Sequence, residues 1–183
     1  MGYIGQFDQT VLNLVEKLPS ALHPFMVFIT NAGSPLSCAV VLLIISLWAY
    51  KHKQKRVAYT GLALLVTMPL ANLLKELTRR VRPDTDYVHH MLFQTYSFPS
   101  GHAYASLLVF GYLIYLAKRH IRSSWKWPII TGSIIMIILV GISRVYLGAH
   151  FPSDVLGGWL LGFVVLTAIT YFIYRKQPTK AKK

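Results

Sequence analysis

Three short polar clusters in this sequence carry residue types that could bind an anion and act as acid, base or nucleophile. They are KELTRRVRP (75–83), FPSGH (98–102) and SRVYLGAHFPSD (143–154). Each cluster adjoins a long apolar run, where ionisable side chains are energetically costly if the run lies in a membrane. Their position therefore indicates a functional site rather than ordinary surface polarity.

The basic residues of the first and third clusters predict a binding site for an anion. Lys75 and Arg82 are seven positions apart, so both would lie on one face if a single helix continues through them. Arg144 ends a separate apolar run, and the planar fork of arginine suits phosphate oxygens. We assign these three residues to phosphate binding. Arg79 and Arg80, by contrast, are interpreted as interfacial anchors that snorkel towards water.

The second cluster has the features of a helix start. Ser100 is a suitable N-cap, and Gly101 allows a ligand to approach the backbone closely. The free N–H groups and positive end of such a helix attract anions. His102 adds a titratable group at the same point, so this cluster extends the predicted phosphate site.

The third cluster contains a candidate catalytic pair. His150 and Asp154 are four positions apart, so they can meet across one helical turn. A carboxylate that holds one imidazole nitrogen leaves the other free as a nucleophile or base. Such a pair alone is usually a structural hydrogen bond, but three cations and a second histidine beside it indicate catalysis. The two histidines could then divide the roles of nucleophile and acid.

The composition of the cluster argues against a metal site. Magnesium prefers carboxylate ligands, and Asp154 is the acidic residue that accompanies the cluster closely. Three cations would also repel a metal ion. We therefore predict chemistry without a metal or any other cofactor, and we interpret His89 and His90 as plain loop residues.

The elements that must position these clusters are predicted to be membrane-spanning helices. The chain has 183 residues, of which 14% are charged, compared with roughly 25% in soluble domains. Five uncharged runs approach the length of about 20 residues that a spanning helix needs. They are 33–50, 57–74, 103–117, 127–143 and 155–174. The prediction is an all-α, polytopic bundle; the alternative is a large soluble core of buried helices.

The distribution of charge predicts the orientation of this bundle. Residues 51–56, 118–126 and 175–183 hold four, four and five of the 19 Lys and Arg residues and none of the six acidic residues. Because basic loops remain cytoplasmic, the three polar clusters would face outside the cytoplasm in a plasma or inner membrane. The net charge of +13 then reflects membrane topology and anionic lipid headgroups rather than nucleic-acid binding.

The two ends of the chain complete a predicted single domain over residues 1–183. Apolar residues recur at helical spacing near the start, with Asp8 among the polar residues on the opposite face. Residues 1–31 are therefore predicted to contain an amphipathic helix in the outer interface, or one packed on the bundle. Residues 176–183 are predicted to be a disordered, basic cytoplasmic tail.

The order and spacing of the three clusters resemble the signature of the type 2 phosphatidic acid phosphatase superfamily, whose members are membrane-embedded, metal-independent lipid phosphatases. That signature reads K-x6-RP, then PSGH, then SR-x5-H-x3-D. The matching residues are Lys75 with Arg82-Pro83, then Pro99-Ser100-Gly101-His102, then Ser143-Arg144 with His150 and Asp154. Bacterial relatives commonly have six spanning helices, so the five predicted here depart from the family pattern.

The resemblance implies a role for each matching residue. His150 would be the nucleophile that forms a phosphohistidine, and Asp154 would orient and stabilise it. His102 would protonate the leaving oxygen and then help to activate water. The residues implied to hold the phosphoryl oxygens are Lys75, Arg82, Ser100, Gly101 and Arg144.

The function expected from these features is hydrolysis of a phosphate monoester or pyrophosphate on a membrane lipid. Candidate substrates are undecaprenyl pyrophosphate, phosphatidylglycerophosphate, phosphatidic acid and diacylglycerol pyrophosphate. One alternative is a non-catalytic lipid-phosphate transporter or flippase, for which the cations alone would suffice, so the set of His102, His150 and Asp154 disfavours it. A vanadate-dependent haloperoxidase would share the anion pocket, but those proteins are soluble.

Overall fold

The computed structural model describes residues 2–90 and 95–175, and all regular elements within these ranges are helical. In chain order they are α1 (Tyr3–Val15), a 3₁₀ turn (Ser20–Leu22), α2 (His23–Ala32), α3 (Pro35–Lys51), α4 (Lys55–Val66), α5 (Leu70–Thr78), α6 (Asp86–His89), α7 (Gly101–His120), α8 (Lys126–Tyr146) and α9 (Pro152–Tyr174). The all-α prediction is confirmed. The predicted basic tail, 176–183, lies outside the described residues.

Several of these helices have the length and apolar composition of membrane spans. Three segments meet both criteria, namely Lys55–Thr78, Lys126–Tyr146 and Pro152–Tyr174. A fourth results if Ser20–Ala32 and Pro35–Lys51, which are bent by 45°, act as one broken span. Helix α7 has 20 residues but is not among the segments that meet the length and apolarity criteria in the described residues. The count of five spans therefore stays a prediction.

Helix α7 forms the centre of the bundle. It packs against α8 and α9 along most of its length and also contacts α3 and α5. The main core contains fully buried apolar side chains from α3, α4 and α7, including Leu42, Leu64 and Leu108. Outward-facing apolar residues such as Leu160 and Phe163 on α9 are 66% and 61% exposed. Such an exposed apolar surface is typical of helices that face lipid.

Small residues allow α7 and α9 to approach closely near their first turns. A Cβ atom added at Gly158 would lie 2.5 Å from the carbonyl oxygen of Ser100, and one at Gly162 would lie 3.1 Å from Leu107. This spacing of small residues is common where membrane helices meet. The close contact lets the backbone N–H of Ser100 donate to the carbonyl oxygen of Asp154 at 2.9 Å. It therefore links the second and third polar clusters.

We expect Gly158→Leu to lower both the thermal unfolding midpoint and the activity of the protein. The added side chain must push α7 away from α9, and overpacking of this kind costs about 1–3 kcal/mol. Thermal unfolding and phosphate release in detergent measure the two effects. Gly132→Leu on α8 is the matched control, because a Cβ atom at Gly132 has nothing within 4 Å. Equal behaviour of the two variants would contradict this account of the helix contact.

The N-terminal helix buries a different face from the one predicted. Helix α1 packs against α8 and α9, and its buried residue is Asp8, which is 3% exposed. The prediction that Asp8 lies on the solvent-facing side is wrong, because this carboxylate has partners inside the bundle. Leu12 and Val15 pack on the same core, while Phe7 is 42% exposed. The structure thus shows a helix packed on the bundle.

The predicted interfacial segment 1–31 contains more than one helix, and its position in a membrane interface stays a prediction. Residues 23–32 form α2, which meets α3 at the 45° bend and packs against α8. The amphipathic part that lies apart from the candidate spans is α1, over Tyr3–Val15. The chain remains apolar through the break at Gly33–Ser34, so the sequence pattern did not separate α2 from the preceding segment.

Candidate active site

The loop between α8 and α9 carries His150 and is fixed by backbone hydrogen bonds. The N–H groups of Ala149 and His150 both donate to the carbonyl oxygen of Arg144, at 3.0 and 3.2 Å. Gly148 has a φ of +68°, in the left-handed region that favours glycine. A Cβ atom there would also lie 2.7 Å from Thr85. The loop therefore holds His150, which is 1% exposed, in one position.

The imidazole of His150 and the carboxylate of Asp154 lie side by side. Nδ1 of His150 is 3.4 Å from Oδ2 of Asp154, and both residues are buried. The backbone N–H of Phe151 donates to the same carboxylate oxygen at 2.9 Å. The contact across one turn that the spacing predicts is present. It leaves Nε2 of His150 directed to the other side of the ring.

Arg82 occupies that other side. Its Nη1 atom is 3.2 Å from Nε2 of His150 and donates to the carbonyl oxygen of Ala149 at 2.7 Å. Its Nε atom donates to the carbonyl oxygen of Thr95 at 2.7 Å. The carbonyl oxygens of Thr95 and Ala149 thus fix the guanidinium of Arg82 beside the imidazole of His150.

Arg82 does not reach the site along a helix that it shares with Lys75. Helix α5 ends at Thr78, and Arg79 adopts a left-handed conformation with a φ of +48° that turns the chain out of the helix. Residues 79–85 form no helix. A single helix through Lys75 and Arg82 is therefore not present. The irregular segment 79–85 nevertheless brings Arg82 to the site.

The other two predicted cations are buried and only partly paired. Lys75 is 5% exposed, and its Nζ atom donates to Oγ1 of Thr95 at 3.3 Å. Arg144 is 2% exposed, and its Nη1 atom donates to Oγ1 of Thr30 at 2.6 Å and faces the hydroxyl of Tyr87 at 3.3 Å. The Nε atom of Arg144 is buried without a hydrogen-bond partner among the described residues. Both side chains therefore retain donors for a ligand.

The start of α7 completes the cluster. The buried hydroxyl of Ser100 caps the helix by accepting from the N–H of Ala103 at 3.4 Å. The next N–H groups, of Gly101 and His102, belong to the first helical turn, where no partner exists within a helix. The electrostatic neighbours of His102 are Arg144, His150, Lys75 and Arg82. All the predicted site residues therefore lie in one region of the fold.

Ser97 is a site residue that the sequence analysis missed. Its buried hydroxyl donates a short hydrogen bond to Oδ2 of Asp154 and lies 3.4 Å from Nδ1 of His150. It also lies two positions before the PSGH motif. No spacing rule connects an isolated serine in an irregular segment with a carboxylate 57 positions later, so local patterns could not identify it.

Arg80 is the second missed residue, and its interpretation as an interfacial anchor is wrong. Its Nη1 atom donates to Oδ1 of Asp154 at 2.6 Å and to the hydroxyl of Ser153 at 2.7 Å. Its Nη2 atom donates to Oδ2 of Asp8 at 2.7 Å. Asp8 in turn accepts from the backbone N–H of Ser153 at 2.8 Å. One arginine thus joins α1 to the carboxylate that faces His150.

The electrostatics of the site favour a bound anion and a neutral imidazole. Asp154 is already paired with Arg80, while the ion pairs of the described residues include none for Lys75, Arg82 or Arg144. Burial, reinforced by the positive charges of Arg82 and Arg144, holds the pKa of His150 well below its usual range. At neutral pH its Nε2 atom therefore keeps a lone pair.

The described residues contain no group of three or more His, Cys, Asp or Glu side chains placed to hold a metal ion. His89 lies 2.8 Å from Oδ1 of Asp84, and both side chains are exposed. The donor groups at the candidate site are instead cationic or neutral, which suits an anionic ligand.

The family model of the PAP2 superfamily matches residues 56–178. The match spans more than half of the chain and includes all three polar clusters. The chain therefore belongs to the PAP2 superfamily. Its helical bundle and its clustered basic residues and histidines are those of a membrane protein of this family.

The chain is similar in sequence to two phosphatases and in fold to one solved structure. It is 34% identical over 158 residues to phosphatidylglycerophosphatase B of Bacillus subtilis, with 82% of this chain and 75% of the relative covered. It is 33% identical over 151 residues to undecaprenyl-diphosphatase of Sulfolobus acidocaldarius, with 78% and 66% covered. The crystal structure of a transmembrane PAP2 type phosphatidylglycerolphosphate phosphatase from Bacillus subtilis superimposes with a TM-score of 0.81 at 27% identity, covering 98% of this chain and 90% of that one.

Proposed function

We propose that the protein is a membrane lipid phosphatase that hydrolyses a phosphate monoester or pyrophosphate on a lipid at the extracytoplasmic face of the cell membrane. One observation carries this proposal. His150 presents Nδ1 to Asp154 at 3.4 Å and Nε2 to Arg82 at 3.2 Å, so a nucleophilic nitrogen faces a phosphate-binding cation. The names of the relatives, which include lipid phosphatases and a diphosphatase, support the same class.

In the proposed reaction, Nε2 of His150 attacks the phosphorus atom of the bound lipid. Burial and the nearby cations hold the pKa of His102 well below its usual range, so the negative charge of the bound phosphate is what favours its protonated form. The bond between phosphorus and the leaving oxygen breaks, and His102, protonated in the substrate complex, gives its proton to that oxygen. A water molecule then attacks the phosphohistidine while His102 accepts its proton, and the N–P bond breaks to release phosphate. Asp154 holds the proton on Nδ1 and offsets the positive charge on the ring.

The protein stabilises this transfer through position and charge. Phosphoryl transfer spreads negative charge over the non-reacting oxygens, so fixed donors around them lower the barrier. We assign that role to Lys75, Arg82 and Arg144, with the hydroxyl of Ser100 and the N–H of Gly101. The buried, partly unpaired state of Lys75 and Arg144 supports the assignment.

The direction in which the site faces follows from the basic connections. The turn between α3 and α4, the connection from α7 to α8 and the end of α9 lie at the helix ends opposite to the site. Because loops rich in Lys and Arg stay cytoplasmic, the site opens to the outside. This orientation supports a substrate that is dephosphorylated outside the cytoplasm, such as undecaprenyl pyrophosphate or phosphatidylglycerophosphate.

The experiment that tests the proposal is phosphate release by purified protein in detergent. Undecaprenyl pyrophosphate, phosphatidylglycerophosphate and phosphatidic acid are compared as substrates. Release from one of these lipids identifies the enzyme and its substrate class. Tight binding of a lipid without release from any of the three would instead support the lipid-phosphate transporter.

We expect phosphate release to continue at the same rate in EDTA. The charge that a metal would supply comes from three side-chain cations, and the described residues provide no ligand group for a metal. The measurement compares initial rates before and after dialysis against EDTA, with and without added Mg²⁺. A strict requirement for Mg²⁺ would show that the cations do not suffice.

We expect vanadate to inhibit competitively with the lipid substrate. Vanadate adopts the five-coordinate geometry of the phosphoryl transition state, and such analogues bind 10²–10⁸-fold more tightly than substrates. The measurement is the dependence of the apparent KM on vanadate concentration. His150→Ala, in which the proposed vanadium–nitrogen bond cannot form, is expected to bind vanadate more weakly when binding is measured directly by calorimetry. Non-competitive inhibition would place vanadate outside the proposed phosphoryl site.

A further inference from the structure

A cavity lies at the end of the bundle opposite to the candidate active site. It has a volume of about 510 Å³ and is formed where the turn from α3 to α4 meets the last residues of α7 and α9. Helices α7 and α9 begin at the active site, so their final turns are a full helix length away from it. This cavity is therefore separate from the site proposed for catalysis.

The side chains that line this cavity make it strongly cationic. Lysine and arginine reach it from two parts of the chain, with a histidine and a tyrosine beside them; these residues are Lys53, Lys55, Arg56, Arg119, His120 and Tyr174. Within residues 2–90 and 95–175, no carboxylate is part of the lining. The ion pairs among the described residues involve none of these cations. These four cations are exposed, and their combined positive charge around one cavity attracts an anion.

The backbone and one aromatic ring organise the same cavity. Helix α4 begins here at Lys55, and its N-cap residue, Gln54, makes no side-chain capping bond. The first N–H groups of α4 thus remain available beside the cations. The guanidinium of Arg119 lies over the ring of Tyr174, 4.6 Å from its centroid, so one cation is held in place. The cavity therefore combines oriented charge with backbone donors that have no hydrogen-bond partner in the described part of the chain.

The depth of the cavity indicates where its anion comes from. Exposed aromatic residues surround this end of the bundle: Trp48, Tyr50, Trp125, Trp127, Tyr171 and Phe172 are each at least 55% exposed. Tyrosine and tryptophan concentrate at the level of the lipid headgroups. A cationic cavity at this level faces the phosphates of the adjacent leaflet.

We propose that this cavity binds the phosphate group of an anionic phospholipid from the leaflet opposite to the active site. The cations pair with the phosphate oxygens, the N–H groups at the start of α4 donate to them, and the acyl chains lie against the apolar outer surface of α9. The site is independent of the proposed catalysis. It binds a lipid without hydrolysing it, because the lining residues that the structure describes include no nucleophile–carboxylate pair.

The test measures binding of phosphatidylglycerol to the full-length protein in detergent by native mass spectrometry, with phosphatidylcholine as the neutral comparison. The cavity variant is Lys53→Gln/Arg56→Gln/Arg119→Gln. The matched control is Lys51→Gln/Lys118→Gln/Arg122→Gln, which removes three charges from the same end of the bundle outside the cavity lining. We expect the cavity variant to lose at least about tenfold in affinity and the control to change little.

Three outcomes would overturn the proposal. Equal losses in the two triple variants would show diffuse attraction to the basic end. Equal affinity for phosphatidylcholine would show that charge is not recognised. Binding of inorganic phosphate at this cavity, with no preference for anionic lipid, would assign it to a soluble anion. Should the triple variant fail to fold, Arg119→Gln compared with Lys118→Gln gives the same test, and phosphate release by both confirms that catalysis is intact.

Discussion

His150→Ala is expected to lower the rate of phosphate release by at least about a thousandfold, because it removes the atom proposed to bond to phosphorus. The remaining cations still attract the substrate, so the KM should change far less than kcat. The loss cannot be recovered by raising the substrate concentration, since the missing step is chemical. Initial rates with the preferred lipid, over a range of concentrations, separate the two effects.

The fold should tolerate this change, which makes the result interpretable. Without His150, Asp154 keeps its hydrogen bonds from Arg80, Ser97 and the backbone N–H of Phe151. The new cavity costs stability, but no buried carboxylate loses its last partner. His90→Ala is the matched control, since that imidazole is exposed and contacts the carbonyl oxygen of Asp86. Normal turnover by His150→Ala would rule out the phosphohistidine.

Residues that act within one turn of a helix could be predicted from spacing alone. The contact of His150 with Asp154 follows from four positions and a helix start, and the capping role of Ser100 follows from its place before Gly101. In both cases a few backbone dihedral angles set the geometry. Local pattern therefore sufficed to predict the contact between His150 and Asp154 and the start of α7.

Contacts between segments that are far apart in the sequence could not be predicted from residue spacing. Arg80 meets Asp8 and Asp154, which are 72 and 74 positions away, and only the packing of α1 on α9 brings them together. The path of Arg82 likewise depends on the left-handed turn at Arg79, where no glycine marks the end of the helix. Sequence periodicity does not identify the partner of a single charged residue that lies between apolar helices.

The ion pairs of Arg80 lead to the second large expected effect. Arg80→Ala should lower kcat by about tenfold to a hundredfold, with little change in KM. Oδ1 of Asp154 would lose its partner in a fully buried position, and breaking a buried pair is costly even after allowance for the 29% exposure of the Arg80 side chain. Oδ2 of Asp154 would keep its hydrogen bonds from Ser97 and the N–H of Phe151, but the carboxylate would lose the guanidinium that favours its charged form. It would then stabilise the positive charge on the His150 ring less well.

Arg79→Ala is the matched control, because the neighbouring guanidinium is exposed and, among the described residues, its Nε atom donates to the carbonyl oxygen of Glu76 alone. If Arg80 were only an interfacial anchor, the two variants should have similar kcat values. If Arg80 acts through Asp154, kcat should fall in Arg80→Ala and not in Arg79→Ala. Equal kcat values for the two variants would therefore contradict the role assigned to Arg80.

Asp8→Asn extends the test to the N-terminal helix. The asparagine oxygen can still accept the N–H of Ser153, as Oδ1 does at 2.8 Å, but the charge that holds Nη2 of Arg80 at 2.7 Å is lost. We expect a smaller loss of kcat than in Arg80→Ala. In Asp8→Asn/Arg80→Ala the two losses should not add, because both changes act through Asp154. Full additivity would mean that α1 influences the reaction by some route other than this arginine.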